Sequence, residues 1–246
     1  MQPSVSRQWF TDWFDSPYYH ILYKNRDEQE AKFFIDKLIH FLPILPEDKI
    51  LDLACGKGRH SIYLNRRGFD VIGVDLSEKN IRYAQQFAND RLSFFRHDKR
   101  QVFRHNYFTV LLNLFTSFGY FETENENIQT LKATAANLKS QGRMVLDFMN
   151  TPRVIEQLQP LEYKEVEGIC FEIRRQLKGK FLIKDIRFTD NHKQFHFQER
   201  LMVINQADFM RYFRAAKLQL VHLLGDYSLN AYTPTSERMI FILKKL

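Results

Sequence analysis

Apolar residues recur at helical spacing over residues 28–42, where Ala31, Phe34, Ile35, Leu38, Ile39 and Leu42 share a face before Pro43 and Pro46 stop the run. The spacing predicts an amphipathic helix ahead of the first strand. An unbroken apolar run over 50–54 then ends in Cys55-Gly56-Lys57-Gly58, and a helical pattern over 59–67 is closed by Gly68. This is strand, glycine turn, helix. A second strand is predicted over 71–74, ending at Asp75, with Ser77 as N-cap of a helix through Phe87. Further strands are expected over 92–95, 108–114 and, after a turn at Gly142, 144–149, with a helix over 127–138. Strands alternating with helices imply an α/β fold whose mostly parallel sheet is doubly wound, with helices on both faces.

Beyond Pro152 the period changes to strands separated by tight turns such as Lys178-Gly179-Lys180, over 163–166, 170–177, 181–188 and 194–203. These are hairpins rather than crossovers. A helix over 206–216 and strands over 220–224 and 239–243 follow, so the hairpins form an antiparallel β insertion, 153–204, ahead of the last strands. With no internal repeat or low-complexity linker, residues 1–246 are expected to form a single domain with an N-terminal helical region, 1–46.

The chemistry concentrates at the glycine turn. Gly56 and Gly58 let the backbone turn tightly and approach a ligand where a strand meets a helix N-terminus. Asp75 ends the next strand, placed for its carboxylate to accept from two ribose hydroxyls. The pair points to a nucleotide-like ligand, and it is more informative than either residue alone.

At these residues the chain resembles the class I S-adenosylmethionine (SAM)-dependent methyltransferases. The likeness runs through Ile50-Leu51-Asp52-Leu53-Ala54-Cys55-Gly56-Lys57-Gly58-Arg59-His60, Val71-Ile72-Gly73-Val74-Asp75-Leu76-Ser77, Arg96-His97-Asp98-Lys99-Arg100 and Asn113-Leu114-Phe115-Thr116-Ser117-Phe118-Gly119-Tyr120-Phe121. It implies a Rossmann-like, seven-stranded sheet and transfer of the SAM methyl group to an acceptor. By resemblance, Asp52 and the backbone from Ala54 through Cys55 and Gly56 to Gly58, flanked by Arg59, hold the methionine moiety. Asp75 takes the ribose hydroxyls and Asp98 the adenine amino group, Leu76 and Lys99 are further cofactor contacts, and Asn113 and Leu114 lie beside the cofactor. An N-terminal lid is implied over 9–23, with Trp13, Tyr18, Tyr19 and Tyr23 as candidates and Tyr19 as a cofactor contact. Thr109 departs from the acidic residue of many relatives, at the strand end far from the ligand.

Catalysis calls chiefly for alignment of acceptor, methyl and sulfur. A base matters more for a hydroxyl or carbon acceptor than for an amine or thiol. His20, His60, His196 and His222 are candidates, with Tyr120 and Arg200, and none is singled out. Cys55 reads as a packing residue of the turn rather than a nucleophile.

Composition narrows the setting. The formal net charge of +7 leans towards the C-terminal part but forms no block of five basic residues. A small-molecule acceptor is favoured. A tRNA or rRNA methyltransferase and a non-catalytic SAM-binding protein are the alternatives, because the insertion's cations are largely offset by acids and no RNA-binding module is recognisable. A nicotinamide-dependent oxidoreductase would share the Gly56-x-Gly58-x-x-Ser61 turn but offers no counterpart to Asp98 or residues 113–121. Cys55 and Cys170 form no disulfide framework or metal-ligand spacing, so no metal is expected. Without an apolar segment of membrane-spanning length, a cytoplasmic protein is expected.

Overall fold

The computed structural model describes residues 9–24 and 28–246. Two short helices come first, α1 (Trp9–Phe14) and α2 (Pro17–Leu22), the second capped by Ser16, whose hydroxyl accepts from Tyr18 N at 3.2 Å. Helix α3 (Glu28–Phe41) buries the predicted apolar face, and β1 (Lys49–Leu53) follows. The alternation continues through α4 (Arg59–Arg66), β2 (Asp70–Asp75), α5 (Glu78–Ala84), β3 (Leu92–Arg96), β4 (Phe108–Asn113), α6 (Glu124–Asn137) and β5 (Leu138–Met149). Next come α7 (Thr151–Glu156) and four successive strands: β6 (Leu161–Val166), β7 (Ile169–Lys178), β8 (Phe181–Asp190) and β9 (Lys193–Met202). The chain closes with α8 (Gln206–Ala215), β10 (Leu218–Leu224) and β11 (Arg238–Lys245).

Among the described residues, seven strands form one sheet in the order β10-β11-β5-β4-β1-β2-β3. Strand β11 runs antiparallel to both its neighbours, and the other pairings are parallel. From β1 the chain winds first to β2 and β3, then crosses back to β4 and β5. The reversal between β1 and β4 is a switch point, where the loops at the carboxyl ends of the strands diverge and leave a crevice. One apolar layer packs Phe34, Ile35, Leu38, Leu64, Ile81 and Ala84 against one sheet face. Leu131, Phe209, Tyr212 and Phe213 cover the other.

The antiparallel sheet β6-β7-β8-β9 stands apart and has its own apolar cluster, in which Phe171, Ile173, Ile186 and Phe188 close over Trp13 and Leu22 from the N-terminal helices. Among the described residues no helix is long and apolar enough to cross a membrane.

Three elements differ from the sequence pattern. Helix α6 begins before the predicted start at Asn127 because Thr123 and Glu126 form a capping box that apolar periodicity does not register. Strand β5 starts at Leu138, directly after α6, and resumes pairing at Arg143 past an irregularity that takes up Gln141, at φ 64°, and Gly142. Pro152, read as the end of the parallel pattern, sits in the first turn of α7, where its missing N–H costs nothing.

Candidate functional site

The crevice is built on the turn after β1. Ala54, Gly56 and Gly58 adopt left-handed φ values of 61°, 56° and 82°. The two glycines serve different ends: a Cβ at Gly58 would stand 2.7 Å from the Phe94 ring, whereas one at Gly56 would meet nothing within 4 Å. Gly58 permits close packing of the turn, and Gly56 leaves room in front of it. Gly56 N donates to Asp75 Oδ2 at 2.9 Å and Ser77 N to Oδ1 at 2.8 Å, so the carboxylate at the end of β2 is tied to the β1 turn.

Asp52, only 1% exposed, accepts from Ser61 Oγ of α4 at 2.6 Å. Burial pushes its carboxyl up to about 6, with the Ser61 hydroxyl opposing and the Asp75 charge adding to the rise. Burial likewise raises Asp75, partly offset by the main-chain donors of Ser77 and Gly56. Two acidic groups are thus held side by side at a cost, and a cationic ligand would relieve it.

After β3, Asp98 is clasped by its neighbour: Arg100 Nε lies 3.0 Å from both carboxylate oxygens, and the guanidinium also covers the Phe121 ring at 5.4 Å. Burial alone would raise the Asp98 carboxyl, but Arg100 holds it below the usual range. The Lys99 ammonium donates to Ser117 O, and burial pushes it down to about 8. Asn113, at the end of β4, donates to Leu53 O at 3.0 Å and to Ser117 Oγ at 2.8 Å, joining the loop after β4 to β1.

That loop carries two non-glycine residues in the left-handed region, Phe115 and Thr116, both at φ 56°. Asp147 of β5 holds them, its Oδ2 accepting from Phe115 N at 2.8 Å and its carbonyl from Thr116 N at 3.0 Å. Arg238 of β11 donates to Thr116 Oγ1 at 2.8 Å, and Tyr227 OH to Asp147 Oδ2 at 3.1 Å. Phe115 in turn stacks on His60, with centroids 5.0 Å apart, and lies 4.6 Å beneath the Arg59 guanidinium. Burial pushes His60 down to about 3, so its ring is neutral, and its Nε2 is buried without a partner among the described residues.

These parts enclose a cavity of about 640 Å³. Of the residues expected at a cofactor site, Asp52, Ala54, Cys55, Gly56, Arg59, Asp75 and Leu76 line it. So do Asp98, Lys99, Leu114 and, from α2, Tyr19. Gly58 and Asn113 lie behind the wall, against Phe94 and Leu53. Tyr23, Tyr120 and His20 also face the cavity, the last pushed down to about 4 by burial and the Lys57 ammonium. Trp13 and Tyr18 turn the other way, into the antiparallel sheet, and the side chain of Trp9 lies outside the described residues.

His196, 3.0 Å from Asp185, and His222, edge-on to Phe41, are remote, as is Arg200 over Phe181. Thr109 exchanges hydrogen bonds with Lys49 at the starts of β4 and β1, at the other end of the sheet. Sequence reasoning missed Phe14, Ile62, Tyr63 and Arg66. With Arg59, the last three mark one helical face of α4, an i, i+3, i+4, i+7 signal present in the sequence. Among the described residues no cluster of His, Cys, Asp or Glu is arranged to hold a metal.

Residues 50–142 match the model of a family described as a methyltransferase domain. A putative methyltransferase, YqeM of Bacillus subtilis (strain 168), is 27% identical over 215 residues, spanning 82% of this chain and 86% of the relative. A Streptomyces venezuelae enzyme, dTDP-3-amino-3,4,6-trideoxy-alpha-D-glucopyranose N,N-dimethyltransferase, is 25% identical over 73% of this chain and 78% of its own length. The crystal structure of an S-adenosylmethionine-dependent methyltransferase from Clostridium acetobutylicum ATCC 824 shares the fold, with a TM-score of 0.79 at 18% identity over 93% of this chain and 96% of that one. The domain match and the relatives support a SAM-dependent methyltransferase with SAM as its cofactor, and the fold shared with the solved structure is Rossmann-like.

Proposed function

We propose that the chain methylates the amine nitrogen of a small molecule bound in the cavity between the glycine turn and α1–α2. The observation that carries this reading is the lining of this cavity: an acidic pair, Asp52 and Asp75, together with an aromatic wall of Phe14, Tyr19 and Tyr120. A volume of about 640 Å³ suits a drug-sized ligand and a modest partner, not a folded RNA.

The residues present fit SAM. Asp52 would pair with the amino group of its methionine moiety, Asp75 with its ribose hydroxyls and Asp98 with its adenine amino group, while the space in front of Gly56 admits the ligand against bare backbone. Tyr19, Cys55, Arg59, Leu76, Lys99 and Leu114 would complete the wall. Bound there, SAM supplies an electrophilic methyl on a sulfonium.

The chain's own task is then to align and desolvate. The rings of Phe14, Tyr19 and Tyr120 exclude water and present π-faces that favour a cationic centre. An amine acceptor suits the bases available. His20 and His60, at about 4 and 3, are too weak to deprotonate a hydroxyl or carbon acid, whereas an amine needs only to arrive neutral. The amino-sugar N,N-dimethyltransferase among the relatives agrees with this choice.

The test is release of S-adenosylhomocysteine across matched panels of small amines (amino sugars free and nucleotide-linked, glycine, sarcosine), their hydroxyl counterparts, and tRNA. Turnover is expected with amines. Turnover confined to hydroxyl compounds or to tRNA would overturn the reading.

A further inference from the structure

We propose that Glu199 is a positioning residue for methyl transfer: a carboxylate on β9 that latches α1–α2 shut over the cavity through Trp13 and Tyr23. The inference rests on the reading of the cavity as the cofactor and acceptor site.

Helices α1 and α2 have six residues each, far too few to persist by backbone hydrogen bonding alone. Their place is set by what they dock on. On one side Phe14, Tyr19, His20 and Tyr23 face the cavity. On the other, Trp13 is fully buried 4.7 Å from the Phe197 ring, and Tyr18 lies 4.6 Å from Phe188.

Tyr18 OH donates to Asp190 Oδ2 at 2.8 Å and Lys164 Nζ to Leu22 O at 3.2 Å, and two further polar contacts converge on one atom. Glu199 Oε1 accepts from Trp13 Nε1 and from Tyr23 OH, each at 2.7 Å. Lys184 of β8 donates to the same Tyr23 oxygen, lies 3.7 Å from Glu199 Oε2 and covers the Tyr23 ring at 4.6 Å. The hydroxyl of Tyr23 thus donates its single hydrogen bond to the carboxylate and accepts one from the ammonium. Charge-assisted bonds of this kind are the strong ones, and the side chains of Lys184 and Glu199 are only 15% and 19% exposed.

None of residues 161–202 lines the cavity, so the antiparallel sheet acts on it through what it holds. It holds α1–α2 at Glu199, and three residues along the same strand Met202 N donates to Gly119 O at 2.8 Å, in the loop that supplies Tyr120. Strand β9 therefore sets the spacing between Phe14 and Tyr120, whose ring centroids are 5.4 Å apart. A loosened latch would widen the aromatic wall and leave the acidic pair untouched.

The test uses the full chain with Trp9→Phe, which leaves Trp13 as the single tryptophan. In that background Glu199→Ala should red-shift the Trp13 emission and increase its quenching by acrylamide. It should also weaken S-adenosylhomocysteine binding by tenfold or more in calorimetry and raise KM for SAM more than it lowers kcat, with an unchanged far-ultraviolet circular dichroism spectrum. Glu199→Gln, whose amide oxygen accepts from the same donors, should restore most of the affinity. If Glu199→Ala is poorly folded, Trp13→Phe removes a single donor while keeping a ring, and should weaken binding several-fold. Exposure of Trp13 with unchanged affinity and KM, or lost affinity with Trp13 still shielded, would overturn the latch. Failure of the parent protein to bind S-adenosylhomocysteine would instead overturn the cofactor assignment.

Discussion

Arg238 Nη2 lies 2.7 Å from Asp147 Oδ1, and the carboxylate is entirely shielded from solvent. The pair joins β11 to β5, yet most of its remaining hydrogen-bonding capacity goes to Phe115 and Thr116, the two residues held at positive φ. Strained backbone survives only where its surroundings over-determine it. Arg238→Met would leave Asp147 as a buried charge without its counter-ion, and the expected loss is about 3–5 kcal/mol by urea unfolding. Arg238→Met combined with Asp147→Leu should recover part of it. Both variants should bind S-adenosylhomocysteine more weakly, because Thr116 loses the Arg238 donor in each and Phe115, beside His60 and Arg59, also loses its Asp147 acceptor in the second.

The two glycines of the turn are expected to separate stability from binding. Gly58→Ala places a Cβ 2.7 Å from the Phe94 ring at φ 82°, so the packing of β3 must shift, and thermal unfolding should move down by several degrees. Gly56→Ala meets no neighbour and carries mainly the left-handed strain, about 1 kcal/mol. Its methyl would project into the space assigned to SAM. Thermal scans with and without S-adenosylhomocysteine distinguish the two, since Gly56→Ala should lose the ligand-induced rise in Tm.

Much of this site was legible because its parts are local. Gly56 and Asp75 belong to a single strand-turn-helix-strand unit, and the order of Asp52, Asp75, Asp98 and Asn113 along the chain is the order in which strand ends deliver them. The Asp147–Arg238 pair was not legible. Its members stand 91 residues apart and meet only because β11 pairs antiparallel with β5, setting Arg238 opposite Met149. Trp13 and Glu199, 186 residues apart, are further still from any local signal. The aromatic cluster over 9–23 announced burial but not direction, and its residues divide between the cavity and the antiparallel sheet.

His60 is expected to be structural. Its ring is neutral, stacked on Phe115 and too weak a base at about 3 to accept a proton near neutrality. His60→Phe preserves the stacking and removes the unpartnered Nε2, so kcat should stay within a few-fold and Tm should hold or rise. A hundredfold fall in kcat, or a pH–rate inflection lost in the variant, would instead give His60 a part in proton transfer.

Asp52 links folding, ligand binding and pH with opposite signs. Its carboxyl sits at about 6 in the folded chain against an ordinary 3.8, so between these values the folded protein holds a proton that the unfolded chain has released. That stabilising contribution is complete below 3.8 and is lost as pH rises through 6. The ligand-free protein therefore carries the cost of a buried charge at pH 7, and Asp52→Asn should raise the urea midpoint there, the gain shrinking towards pH 4. Binding runs the other way. Pairing with the ligand's ammonium needs the ionised form, so affinity for S-adenosylhomocysteine should fall by up to about tenfold per unit as pH drops below 6. Asp52→Asn should bind weakly at pH 7 with a much flatter profile, the remaining slope belonging to Asp75, which burial shifts in the same direction. Calorimetric titrations from pH 5 to 8 on both proteins read this directly, and equal slopes would remove Asp52 from the site.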